Sequence, residues 1–292
     1  MKIKESNAYR AFTVCNTIFM VFLMVIMLYP MLYVLFASLS DADVLMTTKG
    51  FLLRPAGFSL SAYKATFQNP MLLSGYINTI IIVLAGVAVN LIMTAIGAYF
   101  LSRRGVVLQK YVMMMIIFTM FFGGGLIPTY LNMKNLHLLD NRWGIVIGFA
   151  VSAFYVILMR SFFEGVPEAL EESAKLDGAD DIRIMWQIYM PLSTPALMTI
   201  MLYYAIDRWN GYFWTMILIK DESKISLQVL LTKLIITLQG YEETMGMIDT
   251  AAYSNQTLVY ATIVVSVVPI LLVYPYIQKY FVSGMTLGAV KG

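Results

Sequence analysis

Six apolar stretches, most of them long enough to cross a lipid bilayer, set the terms on which this chain can fold. They run approximately from Phe12 to Leu39, Tyr76 to Leu101, Tyr111 to Tyr130, Trp143 to Met159, Pro195 to Ile219 and Thr257 to Phe281. A helix needs roughly 20 apolar residues to cross the hydrocarbon core, and the fourth stretch sits at the short end of the allowed range. Inside lipid no water satisfies backbone N–H and C=O groups, so a crossing segment must bond to itself as a helix. Composition agrees: hydrophobic residues make up 60% of the chain and charged residues 13%, where a soluble domain carries about 25% charged. The expected fold class is therefore all-α: a polytopic membrane helix bundle with six transmembrane helices in a single domain, residues 1–292. The first stretch exceeds the length of a signal-peptide core and reads as an uncleaved span. Cys15 is the only cysteine, so no intramolecular disulfide is possible.

Lysine and arginine near the stretch ends set the orientation. Lys2, Lys4 and Arg10 precede the first stretch, Arg103, Arg104 and Lys110 lie between the second and third, and Lys279 and Lys291 flank the end. The alternate connections mix bases with acids: Asp41 and Asp43, then Asp140, then Asp221, Glu222, Glu242, Glu243 and Asp249. Both termini are thus expected in the cytoplasm, together with residues 161–193, while loops 40–75, 131–142 and 220–255 face outward. Within the outer loops, Leu60, Tyr63 and Phe67 share one face of a short amphipathic helix suited to the interface. A further helix is expected from about Leu227 to Leu238. The net charge of +3 is small and gives no argument for nucleic acid.

Between the fourth and fifth stretches lies a polar island, Glu168 to Pro191, patterned as helix, turn, helix. Pro167 stands where a missing N–H is tolerated, and Glu168, Glu171 and Glu172 crowd the positive end of the first helix. Asp177-Gly178 marks the turn, and Pro191 stops or kinks the second helix. Ser173 and Ala174 are small enough for a partner surface to approach closely, and Glu172 offers a carboxylate for a charge-assisted bond.

Glu172-Ser173-Ala174, then Gly178, Ile188 and Met190-Pro191, resemble the cytoplasmic "EAA" loop of ABC-importer permeases. The family pattern is Glu-Ala-Ala, three residues, Gly, nine residues, Ile-x-Leu-Pro; here Ser173 and Met190 are mild departures within matching spacing. Asp177-Gly178-Ala179 is similar to the carbohydrate-importing branch. Gly75-Tyr76-Ile77-Asn78-Thr79, the run Phe122 to Tyr130 and the closing Gly284 to Gly292 resemble the branch that imports complex oligosaccharides, including polygalacturonide- or alginate-like fragments. Six spans resemble the smaller, second permease of a pair. The resemblance implies that Glu168, Glu171, Glu172, Ser173, Ala174, Asp177, Gly178 and Ala179 form the coupling surface for an ABC ATPase dimer. It also implies a second homologous permease, an extracytoplasmic solute-binding protein met by loop 220–255, and a place in the bacterial inner membrane. The second reading of that loop is a solvated connector.

Within the fifth stretch, Asp207, Arg208, Trp209 and Asn210 form the outstanding polar cluster, followed by Tyr212, Phe213 and Trp214. An ionisable residue inside a membrane is costly and points to function. Aromatic faces beside amides and carboxylates suit sugar rings, so Asp207, Arg208, Trp209, Asn210, Tyr212 and Phe213 are candidates for the substrate pathway. A second reading makes Asp207 and Arg208 helix locks and the rings an interfacial belt. Asn78, Thr79, Asn90 and Thr94 suit hydrogen bonds across helices.

The sequence contains no GxxxxGK[ST] phosphate loop, no HExxH and no GxSxG, so an enzyme reading has no motif behind it. The expectation is a chain that binds no cofactor itself, with ATP and Mg on the partner ATPase. The alternative is a self-sufficient secondary transporter or channel, which calls for inverted repeats and broken helices meeting near coupling carboxylates.

Overall fold

The computed structural model describes residues 7–245, 256–273 and 275. Lys2, Lys4, Asp249, Lys279, Lys291 and the closing Gly284 to Gly292 lie outside the described residues. Among those described there are helices and connections, with one isolated antiparallel bridge between Ser40 and Phe58 and no strand. They group into two compact units, one drawn from Met1–Asn69 with Lys233–Val268, the other from Pro70–Thr232 with Pro269–Gly292.

The first unit opens with α1 (Asn7–Ser38), a helix that is exposed along nearly its whole length, then α2 (Ala42–Thr47) and α3 (Ser61–Gln68). Exposed apolar side chains in this setting are lipid-facing rather than misplaced. Asp41 caps α2 through the amides of Asp43 and Val44, the ordinary use of an N-cap carboxylate. Ala37, Leu45 and Leu52 are buried together against Tyr33 and Tyr260. The expected amphipathic helix is present as α3, with Ala62 and Thr66 turned inward and Leu60 and Phe67 exposed.

The second unit is built on α4 (Pro70–Ser102), which has proline only at its first position. Around it come α5 (Gln109–Phe121), α6 (Leu126–Asn135), α7 (Arg142–Gly148) and α8 (Ala153–Phe163). The polar island supplies α9 (Glu168–Leu176), α10 (Asp181–Ile184), a π-helical turn over Met185–Tyr189 and α11 (Met190–Leu192). Next are α12 (Thr194–Asn210) and α13 (Phe213–Leu218). A 3-10 turn at Glu222–Lys224 leads to α14 (Leu227–Met245), which belongs to the first unit from Lys233 on, as does α15 (Gln256–Val273) up to Val268. The helix expected from Leu227 is therefore present and longer than foreseen.

By length and composition, α1, α4 and α15 can each cross a membrane, and the pairs α5–α6 and α7–α8 bring the number to five if each pair counts as one span. The third apolar stretch departs from expectation. It is two helices meeting at 118°, not one. Gly123, Gly124 and Gly125 separate them, and Gly125 takes φ 83°, a left-handed value that glycine adopts without a Cβ clash. Pro128 is not the cause; it sits in the first turn of α6, where proline costs little. The fourth stretch also breaks, with α7 and α8 at 49°. The fifth is divided into α12 and α13 around Gly211 and Tyr212.

At the α9 end, Tyr99, Met159, Phe163, Ile184, Tyr189 and Ile200 form a buried cluster. In contact with water, full burial of such a side chain contributes about 1.5–3 kcal/mol. Deeper between helices the packing is by small and polar residues, as expected where lipid removes the hydrophobic drive: α4 buries Gly75, Thr79, Gly86, Asn90, Thr94 and Ala98 on one stripe.

Candidate functional site

The polar island folds as its sequence dictates. Ala, Leu, Glu and Lys favour helix, and Glu171 bonds Lys175 Nζ at 2.9 Å one turn on. The helix ends in a Schellman motif: the Ala179 amide donates to Ala174 O at 2.9 Å and the Gly178 amide to Lys175 O at 3.0 Å. Gly178 takes φ 81°, which this ending requires and a side chain resists. Asp180 then caps α10 by accepting from the Arg183 amide at 2.7 Å.

The carboxylates of this hairpin divide into two sets. Glu171 turns inward, its side chain 14% exposed, and forms an ion pair with Arg103 just beyond α4. It also accepts from the Tyr189 hydroxyl at 2.6 Å. Arg103 reaches Asp181 at 3.1 Å and the Tyr99 hydroxyl at 2.8 Å, with its guanidinium 4.9 Å from the Tyr99 ring centre. Burial alone raises the Glu171 pKa, yet the hydrogen bonds from Tyr189 and Lys175 and the Arg103 charge hold it below the usual carboxylate range. Burial, then the bond to Glu171, push Tyr189 up to about 12. Glu172, Ser173, Asp177 and Gly178 instead face outward, joined by Leu176, which is 89% exposed. Glu168 meets the exposed Arg104 at 2.8 Å. Ala174 and Ala179 pack against the buried cluster rather than the surface. The eight expected coupling residues are thus adjacent, but only part of them is presented outward. Arg103, Tyr99, Tyr189 and Asp181 were not anticipated from sequence; the paired arginines read only as a topology mark. A polar cavity of about 500 Å³ adjoins the hairpin, lined by Arg103, Arg160, Glu168, Glu171 and Lys175 among others, and the exposed Glu172 reaches its rim.

The second polar centre lies where α7–α8 and α12–α13 break side by side. Arg208 is buried, and its guanidinium donates to Ile145 O at 2.6 Å, Val146 O at 3.2 Å and Phe149 O at 2.6 Å. It also donates to Asn90 Oδ1 at 3.1 and 2.9 Å. Asn90 Nδ2 donates to Phe149 O at 3.0 Å and Ala150 O at 2.9 Å. Carbonyls at a helix end have no intrahelical partner, and a cation there is favoured by the helix dipole. Arg208 and Asn90 therefore close the open end of α7 and make the break tenable. Gly86 leaves the room: a Cβ there would lie 3.0 Å from Arg208 Nε. Asp207 accepts from the Tyr155 hydroxyl at 2.9 Å.

A cavity of about 520 Å³ opens at the two breaks, lined by Asp207, Asn210, Tyr212, Phe213, Trp214 and Phe149 among others. Phe149 and Phe213 flank Trp214 at 5.3 and 5.4 Å between ring centres. Of the expected pathway residues, Asp207, Arg208, Asn210, Tyr212 and Phe213 line this space and Trp209 does not. Phe149 and Trp214 complete the aromatic wall.

At its far end α4 grips the segment before α14. Asn78 Nδ2 donates to Ser223 O at 2.8 Å and Ile225 O at 2.9 Å, and Thr79 Oγ1 accepts from the Leu227 amide at 2.9 Å. These two residues tie helix to loop rather than helix to helix. Beside them Asp140 accepts from the amides of Asp221 at 2.9 Å and Lys220 at 3.1 Å, which lowers its pKa. Asp221 is drawn down to about 2 by the Ser223 hydroxyl and Lys224.

No family model matches the sequence. The polygalacturonan/rhamnogalacturonan transport system permease protein YtcP of Bacillus subtilis is 38% identical over 275 residues, covering 94% of this chain and 96% of the relative. Protein LplC of the same organism is 38% identical over 289 residues, covering 99% and 97%. A crystal structure of a bacterial ABC transporter involved in the import of the acidic polysaccharide alginate contains a chain similar to this one. Its TM-score is 0.88 at 42% identity, over 96% of this chain and 100% of that one. Similarity of that extent, over nearly the whole of both chains, shows the family: the chain belongs to the permease subunits of ABC oligosaccharide transporters.

Proposed function

We propose that this permease carries acidic oligosaccharides, of the pectin- or alginate-derived kind, into the cytoplasm across the inner membrane as the smaller of two permeases. ATP hydrolysis belongs to a separate ATPase dimer, and the chain itself holds no cofactor. The reading has six spans, with both termini and the α9 hairpin in the cytoplasm. The observation that carries it is the two-faced α9: Glu172, Ser173, Leu176 and Asp177 offer a charged and apolar surface outward, while Glu171 anchors the helix inward. A helix held from behind and free in front is what a lever needs. The loop from residue 220 is proposed to meet the solute-binding protein. Sugar passes the cavity at Asp207, where carboxylate and Asn210 amide meet hydroxyls and the rings of Tyr212, Phe213 and Trp214 meet apolar sugar faces. Arg208 is not the uronate contact in this scheme, because each of its guanidinium nitrogens already has a protein acceptor.

The test is ATP hydrolysis by the reconstituted complex with binding protein and either oligogalacturonides, alginate oligomers or neutral maltodextrins. Stimulation by an acidic oligomer, lost in Glu172→Ala and Gly178→Asp, supports the reading. Stimulation by maltodextrin alone would refute the substrate class, and full coupling in both variants would refute the role of the hairpin.

A further inference from the structure

We infer that Arg103 is a positioning residue for transport, the clamp through which movement of the α9 hairpin is delivered to α4 and hence to the opposite side of the membrane; this rests on the ATP-driven import proposed above. Three observations meet here. First, Arg103 binds both limbs of the hairpin at once, Glu171 on α9 and Asp181 on α10. Its side chain is 11% exposed, while that of the adjacent Arg104 is 86% exposed. A guanidinium presents its donors in a fixed fork, so two carboxylates held on it are fixed in direction as well as distance. The rings of Tyr99 and Tyr189 close the sides, their centres 5.0 Å apart.

Second, the helix that ends one residue before Arg103 is unbroken. From Asn78 to Ser102, α4 measures roughly 36 Å at the standard rise, with no proline after Pro70 and no interruption. The neighbouring apolar stretches break at 121–126, 148–153 and 210–213. Sharp kinks in helices trace to proline, to glycine pairs or to inserted groups, and α4 shows no such break.

Third, α4 is bonded at three levels along that length. Arg103 holds the hairpin, Asn90 with Gly86 holds the Arg208 node, and Asn78 with Thr79 holds the segment 223–227. A displacement of α9 therefore reaches the cavity and the far loop through one unbroken element. The apolar contacts of Ala174 and Ala179 transmit a push. The ion pair is what lets α9 pull.

The measurement is uptake of labelled oligosaccharide and phosphate release in the same proteoliposomes, containing both permeases, the ATPase dimer and saturating binding protein. The Arg103→Gln and Glu171→Gln complexes are expected to lose about ten-fold in sugar moved per ATP hydrolysed, the size of effect known for coupling networks. Arg103→Lys, which keeps the charge but not the fork, is expected to recover part of it. A residue that only stabilises the fold would lower uptake and hydrolysis in proportion, and that outcome overturns the inference, as does unchanged coupling. If neither glutamine variant assembles, Arg103 is a folding contact and the inference also fails. Wild type that hydrolyses ATP without moving sugar would sink the import reading itself; wild type that couples, with variants that couple equally, would sink the clamp alone.

Discussion

Arg103 and Arg208 are both nearly buried, and they solve the problem of a buried cation in opposite ways. Arg103 sits among ionised partners, Glu171 and Asp181, beside the phenols of Tyr99 and Tyr189. Among the described residues Arg208 bonds no carboxylate; the carbonyls of Ile145, Val146 and Phe149 and the amide oxygen of Asn90, all neutral, accept from it. The difference follows from place. At the hairpin, carboxylates are within reach, and a nearly buried guanidinium keeps its charge paired with them in a fixed fork. Between helices, an unpaired carbonyl is the greater danger, and a delocalised cation that closes a helix end relieves several at once. One arginine is built to move with its partners, the other to hold still.

The largest expected effect tests the second half of that contrast. Arg208→Ala takes the guanidinium donors from Ile145 O, Val146 O and Asn90 Oδ1, while Phe149 O keeps its bond from Asn90 Nδ2, and is expected to cost about 3–5 kcal/mol. A thermal unfolding midpoint of the detergent-solubilised complex within error of wild type would show that the break between α7 and α8 does not depend on it. Gly86→Val squeezes the same node from the α4 side, at an expected cost of about 1–3 kcal/mol for overpacking; an unchanged midpoint would mean that Arg208 has room to shift. The Arg103 side is expected to respond to pH instead. Glu171 has a folded pKa below its ordinary value of 4.5, so its contribution is complete above that value and is lost as pH falls through the lower folded one. Stability of Glu171→Gln is expected to be flatter than wild type across that acid range, and parallel curves would sever the carboxylate from the pair. The smallest effect is expected next door: Arg104→Ala breaks an exposed pair with Glu168, of the kind that contributes about 0–1 kcal/mol. A shift of the complex's unfolding midpoint by Arg104→Ala as large as that by Arg208→Ala would show that exposure does not separate these arginines.

The hairpin was legible because a polar, glycine-punctuated segment cannot hide in an apolar chain, and Gly178 stands at the one backbone angle that demands it. The partition of its glutamates was not legible. Glu171 and Glu172 are neighbours in sequence, and only the approach of Arg103 from α4 decides which one turns inward. Arg208 was singled out as either pathway or lock, but its partners are mostly backbone carbonyls, which carry no residue identity to read. Trp209 was grouped with the cavity by proximity in sequence, yet it does not line it, whereas Phe149 arrives from a different helix pair to do so. The third apolar stretch read as one helix because hydropathy is blind to the angle at which glycine lets a chain turn.

The unbroken α4 also acts as a ruler. Its three attachment points, at Asn78, Asn90 and Arg103, are in register only while the number of residues between them is kept. Each residue added or removed turns one end by about 100° relative to the other. Substitutions on its lipid-facing side, such as at Leu84 or Ile92, leave that register untouched. Length variation along α4 should therefore be far rarer among working descendants of this chain than changes of side chain.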